Sequence, residues 1–141
     1  SRVKVTEAYA RRLGLPLVVI ENRRIGDGEN RVHGVIGDVE DRDVILFDDE
    51  IITGESILEG AKAVLERGAR STYAGCVHGT MAEGALARIK DSELSSIAVT
   101  DTIPQRRDGE CNKLTVCSVA DQFGGAIKAI RDETSISALY N

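Results

Sequence analysis

A chain of 141 residues with a net charge of −5 and an isoelectric point near 5.1 is one domain's worth of polypeptide, long enough for a packed core and too short for two. That acidic balance argues against a nucleic-acid or polyanion binder, which needs a basic surface excess; the local basic groups are Arg23 and Arg24 with Arg31 nearby, and Arg106 with Arg107. No apolar run approaches the roughly 18 residues of a membrane helix and the amino terminus has no signal-peptide pattern, so the expectation is a soluble chain without a membrane partner.

In chain order, Val5, Ala8, Tyr9 and Leu13 share one helical face and predict a first helix over Ser1 to Leu13, with Gly14 as its stop and Pro16 just beyond. Leu17-Val18-Val19-Ile20 is β-branched and apolar throughout, as in a buried strand, and ends at Glu21-Asn22-Arg23-Arg24. Polar residues and glycines through Arg31 read as a mobile loop. Val32 to Gly37 alternates weakly, as an edge strand would, and Asp38 to Asp43 form a charged turn. Val44-Ile45-Leu46-Phe47 predicts a buried central strand, followed by Asp48-Asp49, a Thr-Gly loop and a helix marked by Ile57, Leu58, Ala61, Val64 and Leu65, which Gly68 closes.

A further strand over Ser71 to Val77 leads into His78-Gly79-Thr80, and Met81, Ala85, Leu86 and Ile89 mark the next helix. Ser96 to Thr100 is a short strand that ends in Asp101-Thr102-Ile103-Pro104-Gln105. A hydrophilic loop reaches Lys113, Leu114 to Ser118 form the last strand, and Val119, Phe123, Ala126, Ile127 and Ile130 the last helix, which Gly124 and Gly125 weaken by about 1 kcal/mol each relative to alanine. Cys76, Cys111 and Cys117 are odd in number and lack Cys-x-x-Cys spacing, so they fit reduced thiols in a cytosolic protein, with Cys76 and Cys117 as small core residues.

Strands alternating with helices predict an α/β fold, a mainly parallel sheet flanked by helices on both faces, in which ligands sit beyond the carboxyl ends of the strands. The polar tips Arg23-Arg24, Asp48-Asp49, His78-Gly79 and Asp101-Thr102 all fall at those ends and are expected to converge on one cleft. Backbone N–H groups of the Thr-Gly loop and the positive end of the following helix suit a phosphate, and the carboxylates suit hydroxyls or a metal, so the stretch suggests a sugar phosphate. A carboxylate pair after a strand also serves as a plain helix cap and solvated turn. His33 reads as a solvated surface residue. His78 reads either as a structural turn residue or as part of an effector or interface site.

The string from the apolar strand through Asp48-Asp49 and Thr53-Gly54-Glu55-Ser56 into an amphipathic helix resembles the phosphoribosyl-pyrophosphate loop of type I phosphoribosyltransferases and ribose-phosphate pyrophosphokinases. Gly37-Asp38-Val39, Val77-His78-Gly79, Thr100-Asp101-Thr102-Ile103-Pro104-Gln105 and the ending Ser135-Ile136-Ser137-Ala138-Leu139-Tyr140 extend the resemblance to the carboxyl-terminal half of the latter family, over essentially all of residues 1–141 as a single phosphoribosyltransferase-like domain. The resemblance implies an enzyme that transfers the diphosphoryl group of ATP to ribose 5-phosphate, with Mg2+ whose main ligands lie outside this chain, giving phosphoribosyl pyrophosphate and AMP. It also implies a cytoplasmic homo-oligomer, a dimer or hexamer. Asp48 and Asp49 would engage the ribose hydroxyls, and Ile52, Thr53, Gly54, Glu55 and Ser56 would line the 5-phosphate site. Asn22, Arg23 and Arg24 would belong to the catalytic loop, and Ser135 and Ser137 either to an effector site between subunits or to a plain carboxyl-terminal strand or coil.

The sequence departs from the family pattern at Asn22, where a lysine is usual, at Ile52, where an acidic residue is usual, and at Glu55, which replaces the loop's second glycine and brings a like charge near a phosphate. The amino-terminal half of the family and most of its ATP-binding residues have no counterpart here, so the expectation is a fragment that binds ribose 5-phosphate and is inactive alone. A non-catalytic regulatory homologue and a phosphoribosyltransferase that consumes phosphoribosyl pyrophosphate are the alternative readings.

Overall fold

The computed structural model describes residues 2–25, 29–105 and 111–140. Its elements run α1 (Arg2–Leu13), β1 (Val19–Ile25), β2 (Glu29–Ile36), β3 (Asp43–Ile51), α2 (Glu55–Leu65), β4 (Ser71–Gly79), α3 (Ala85–Asp91), β5 (Ser96–Thr100), β6 (Leu114–Cys117) and α4 (Ala120–Arg131), and a 3-10 turn at Ile136–Tyr140 follows. Strands β3, β4, β5 and β6 form one parallel sheet in that order, so each crossover moves one place along the sheet. The expected α/β fold, a mainly parallel sheet flanked by helices, therefore holds.

Alternation decides what each strand buries. Along β3, Val44, Leu46 and Ile51 are buried, while Ile45 and Phe47 stay 46% and 38% exposed. This corrects the expectation of a central strand buried on both sides: β3 stands at one edge of the four-stranded sheet. The inner face continues through Thr72, Ala74 and Cys76 of β4 and Ile97 and Val99 of β5. Ile57, Ala61 and Val64 on α2 and Ala85 and Ile89 on α3 are the helical side of that core, and Leu94 fills it with almost no exposure. Each such aliphatic side chain contributes roughly 1.5–3 kcal/mol by leaving water.

The opposite face is covered more sparsely. Ile45, Phe47, Tyr73 and Val77 are exposed there, and α1 reaches it through Tyr9, whose ring meets Phe47. Helix α1 forms where its periodicity predicts, with Leu15 N–H donating to Ala10 O beyond Gly14. Its apolar stripe nevertheless stays largely exposed at Val5 and Leu13, and Tyr9 makes its ring contact on Phe47. Helix α4 shows the same outcome: Phe123, Ile127 and Ile130 are 60–66% exposed, and the buried position is Ala129. A helical period shows that an apolar face exists; it does not say what covers it.

The segment read as a mobile loop is largely strand. Residues 21–25 and 29–31 belong to an antiparallel hairpin of β1 and β2, with an irregularity between Glu21 and Asn22, and residues 26–28 lie outside the described ones. Cross-strand backbone pairing does not require apolar side chains, so the polar run Asn22-Arg23-Arg24 is compatible with a two-stranded ribbon. The hairpin is a separate sheet, and its apolar base packs beside α2: a Cβ on Gly60 would lie 3.2 Å from Ile20 Cδ1, and Arg67 Nη1 donates to Val35 O at 2.7 Å.

Smaller differences have local causes. Met81 lies in the turn before α3 with a positive φ of 47° and is not helical. Cys117 is exposed on the edge strand β6, not in the core, whereas Cys76 is buried as expected. The carboxyl-terminal stretch is a 3-10 turn packed on α4, neither strand nor coil. Among the described residues no helix is long and apolar enough to cross a membrane.

Candidate functional site

Strand β3 delivers the acidic pair to the carboxyl end of the sheet. Asp48 follows Val44 and Leu46 in the inward series and is half-buried, whereas Asp49 turns the other way and is exposed. Backbone contacts hold both side chains: Asp48 Oδ1 accepts the Asp49 N–H at 2.9 Å, and Asp49 Oδ1 accepts the Glu50 N–H at 3.1 Å. Behind the pair, Cys76 Sγ donates to Asp49 O at 3.4 Å and His78 O at 3.3 Å, and burial pushes its thiol up to about 11.

The chain then turns through Ile52, Thr53 and Gly54 into α2. Gly54 is the residue before the helix, at φ 84°, a conformation costly for any side chain with a Cβ. A Cβ there would also lie 3.7 Å from Ile89 Cγ1. Having no side chain, Gly54 does not cap the helix, so the first-turn amides of α2 meet no side-chain cap from that position. Thr53 Oγ1 accepts the Glu55 N–H at 3.4 Å. Glu55 itself is exposed, and Ile52 presents a half-exposed apolar side chain. Ser56 is partly buried in the first turn.

A cavity of about 1050 Å3 runs beside β3. Asp48, Glu50, Ile51, Ile52, Thr53, Gly54 and Ser56 line part of it; apolar residues of α1, β1 and β3 line another part, and the charged Asp38, Arg42, Asp43 and Arg70 line it as well. Asp49, Glu55, His78 and Asp101 are not among the described residues that line it. The arrangement places carboxylate acceptors beside the first-turn amides of α2, of which the Glu55 N–H is shared with Thr53 Oγ1. That pairing suits a ligand with hydroxyls at one end and an anion at the other.

His78 lies in β4, and its Nδ1 is 2.9 Å from Thr102 Oγ1. Thr100 Oγ1 and Thr102 Oγ1 both donate to Val77 O, at 2.7 and 3.1 Å, and Gln105 Nε2 donates to Gly79 O at 2.8 Å. Asp101 accepts the Val119 N–H at 2.8 Å, and its carboxyl is held below the usual range, first by Ser118 and then by that amide. The Thr-Asp-Thr-Ile-Pro-Gln element is thus a brace between β4, β5 and the start of α4, and His78 makes a structural hydrogen bond within it.

Asn22, Arg23 and Arg24 pair through their backbones with Val32, Arg31 and Asn30; their side chains, like those of Arg31 and His33, lie outside the described residues. Arg106 and Arg107 lie outside them altogether. Ser135 and Ser137 are exposed at the 3-10 turn, and Ser135 O accepts the Ala138 N–H. Sequence reasoning passed over the contacts that brace the loop from α3, notably Arg88, whose Nε donates to Thr53 O at 3.0 Å. A lone basic residue on a short helix gives no local signal of such a role.

Residues 24–141 match the family described as phosphoribosyl synthetase-associated domain. The chain is 40% identical over 138 residues to a ribose-phosphate pyrophosphokinase of Thermotoga maritima and 34% identical over 143 residues to that of Streptomyces coelicolor, matches that cover 98% and 100% of this chain and 43% and 44% of those proteins. Its fold superposes on the crystal structure of phosphoribosylpyrophosphate synthetase from Mycobacterium smegmatis with a TM-score of 0.83 at 33% identity, covering 94% of this chain and 42% of that one. The chain therefore spans less than half the length of the relatives it matches.

Proposed function

Since the chain belongs to the phosphoribosyl synthetase-associated domain family and is similar to ribose-phosphate pyrophosphokinases along nearly all of its length, we propose that it is the ribose 5-phosphate-binding domain of such an enzyme. The observation that carries this reading is the delivery, by one parallel strand, of Asp48 and Asp49 directly into the Thr53–Ser56 loop at the start of α2. The carboxylates accept hydrogen bonds from ribose hydroxyls, and the loop amides with the helix dipole hold the 5-phosphate. Relatives more than twice as long support reading residues 1–141 as one domain of a larger catalytic unit in which ATP is the diphosphoryl donor.

In such a transfer the protein works mainly by positioning and by neutralising charge on the moving group. Arg23 and Arg24 on β1 are this chain's contribution to that neutralisation, and Asn22 adds a donor without charge. Magnesium, if bound, would offset charge on the phosphates, and among the described residues Asp48 and Asp49 are the carboxylates placed to help hold it. Among the described residues no cluster of three or more ligating side chains gathers. Homo-oligomerisation belongs to the same reading, and the exposed Phe123, Ile127 and Ile130 on α4 support it.

Asn22 and Glu55 favour one second reading, a regulatory homologue that binds the sugar phosphate without turnover. Incubating the complete gene product with ATP, ribose 5-phosphate and magnesium decides between them. Formation of AMP with phosphoribosyl pyrophosphate supports the enzyme. Its absence, with binding retained, supports the regulatory protein, and transfer of the phosphoribosyl group from added phosphoribosyl pyrophosphate to an added base, with release of pyrophosphate, would displace both.

A further inference from the structure

Four consecutive residues, Glu50 to Thr53, each accept a hydrogen bond from a single stretch of chain beyond β4. Thr80 Oγ1 donates to Glu50 Oε1 at 2.7 Å, Met81 N–H to Ile51 O at 3.1 Å, Ala82 N–H to Ile52 O at 2.8 Å, and Arg88 Nε to Thr53 O at 3.0 Å. Turn and helix together splint the end of β3 and the anion loop. The last contact comes from a long side chain that must fold back over its own helix start. Gly84, at φ 79°, leaves room for it: a Cβ there would lie 3.2 Å from Arg88 Nη1.

We propose that Arg88 is the positioning residue of the anion loop, fixing and polarising the Thr53–Gly54 peptide so that it donates more strongly to a bound phosphate. A guanidinium on the carbonyl side of an amide withdraws electron density and strengthens the N–H on its other side. That peptide is trans, so the Gly54 N–H points away from the carbonyl that Arg88 holds. A planar donor with a fixed direction serves this better than an ammonium on a flexible stem. The inference rests on the sugar-phosphate reading of the same loop.

The test titrates the intact chain, its Arg88→Leu and Arg88→Lys variants and Asp49→Ala with ribose 5-phosphate and with inorganic phosphate, following backbone amides by 1H–15N spectra alongside thermal unfolding. Arg88→Leu is expected to weaken both ligands about tenfold and to move the Gly54 amide already without ligand, while the midpoint of unfolding stays within a few degrees; Arg88→Lys recovers part of the affinity. A role confined to holding α3 in place would instead spread the shifts over α3 and lower both variants alike, and that result overturns the proposal. So does Arg88→Leu binding both ligands as tightly as the parent. If phosphate binds with the Arg88 dependence but ribose 5-phosphate gains nothing from Asp49, the sugar-phosphate reading fails and the splint stands. If ribose 5-phosphate binds through Asp49 and Arg88→Leu is neutral, Arg88 alone fails. Loop amides that respond to neither ligand refute both.

Discussion

The rings of Tyr9 and Phe47 meet at a centroid distance of 5.2 Å and an interplanar angle of 46°, and this contact joins α1 to the more sparsely covered face of the sheet. Its geometry depends on Gly75 of the neighbouring strand. A Cβ at that position would lie 2.9 Å from Phe47 Cε1 and 3.1 Å from Cδ1. Gly75→Ala therefore displaces the ring and loosens α1, at about 1–3 kcal/mol by the usual cost of overpacking. Urea unfolding monitored by circular dichroism should show the loss, and faster amide exchange along α1 should accompany it. Unchanged stability with unchanged exchange would mean that the ring contact does not hold the helix.

A second prediction concerns acid. Arg70 donates to both carboxylate oxygens of Asp43, from Nε to Oδ1 and from Nη2 to Oδ2, and with Ser71 it holds the Asp43 carboxyl down to about 2 from an ordinary 3.8. A carboxylate depressed on folding contributes stability that is fully present above its unfolded pKa and is lost as pH falls through the folded one. Asp43→Asn should thus flatten the fall in melting temperature between about pH 4 and pH 2 without changing its direction. A profile as steep as that of the parent would assign the acid sensitivity to other carboxylates.

The thiols should separate by reactivity. Cys117 is exposed, whereas Cys76 is buried beneath the acidic pair with its thiol raised to about 11 by burial. At pH 8 only about one in a thousand Cys76 side chains would be thiolate, the form that attacks a disulfide reagent. A colorimetric thiol titration should therefore label Cys117 quickly in the native protein and Cys76 only after denaturant is added. Rapid native labelling of Cys76 in a Cys117→Ser variant would contradict its placement.

Core packing gives the fourth. Ile97 is 1% exposed in β5, between Ala74 on β4 and Leu114 on β6. Ile97→Ala should cost about 2–5 kcal/mol, the range for truncating a buried aliphatic side chain. The denaturation midpoint measures it, and a loss below about 1 kcal/mol would show that the sheet tolerates the cavity by collapse.

Much of the fold was legible where a residue's environment is set by its own neighbours along the chain. The run Val44 to Phe47, the acidic pair and the periodic Ile57, Ala61 and Val64 mark a strand, a loop and a helix because backbone direction and local burial coincide there. The hairpin of β1 and β2 was not legible, since Asn22, Arg23 and Arg24 belong to a ribbon whose pairing lies in the backbone and leaves no apolar alternation to read. Helices α1 and α4 were legible as helices; the exposure of Tyr9, Phe123 and Ile127 depends on what packs against them, which periodicity does not encode. The same division runs through the candidate site. Asp48 to Ser56 form one contiguous string, while Thr80 and Arg88 join the loop only because β4 lies beside β3.

The most direct test of the central claim is a calorimetric titration of the chain with ribose 5-phosphate. The account predicts saturable binding that Asp49→Ala weakens by about tenfold or more, the loss expected when one charged hydrogen-bond partner of a hydroxyl is removed. Affinity that is the same with and without the Asp49 carboxylate would contradict it.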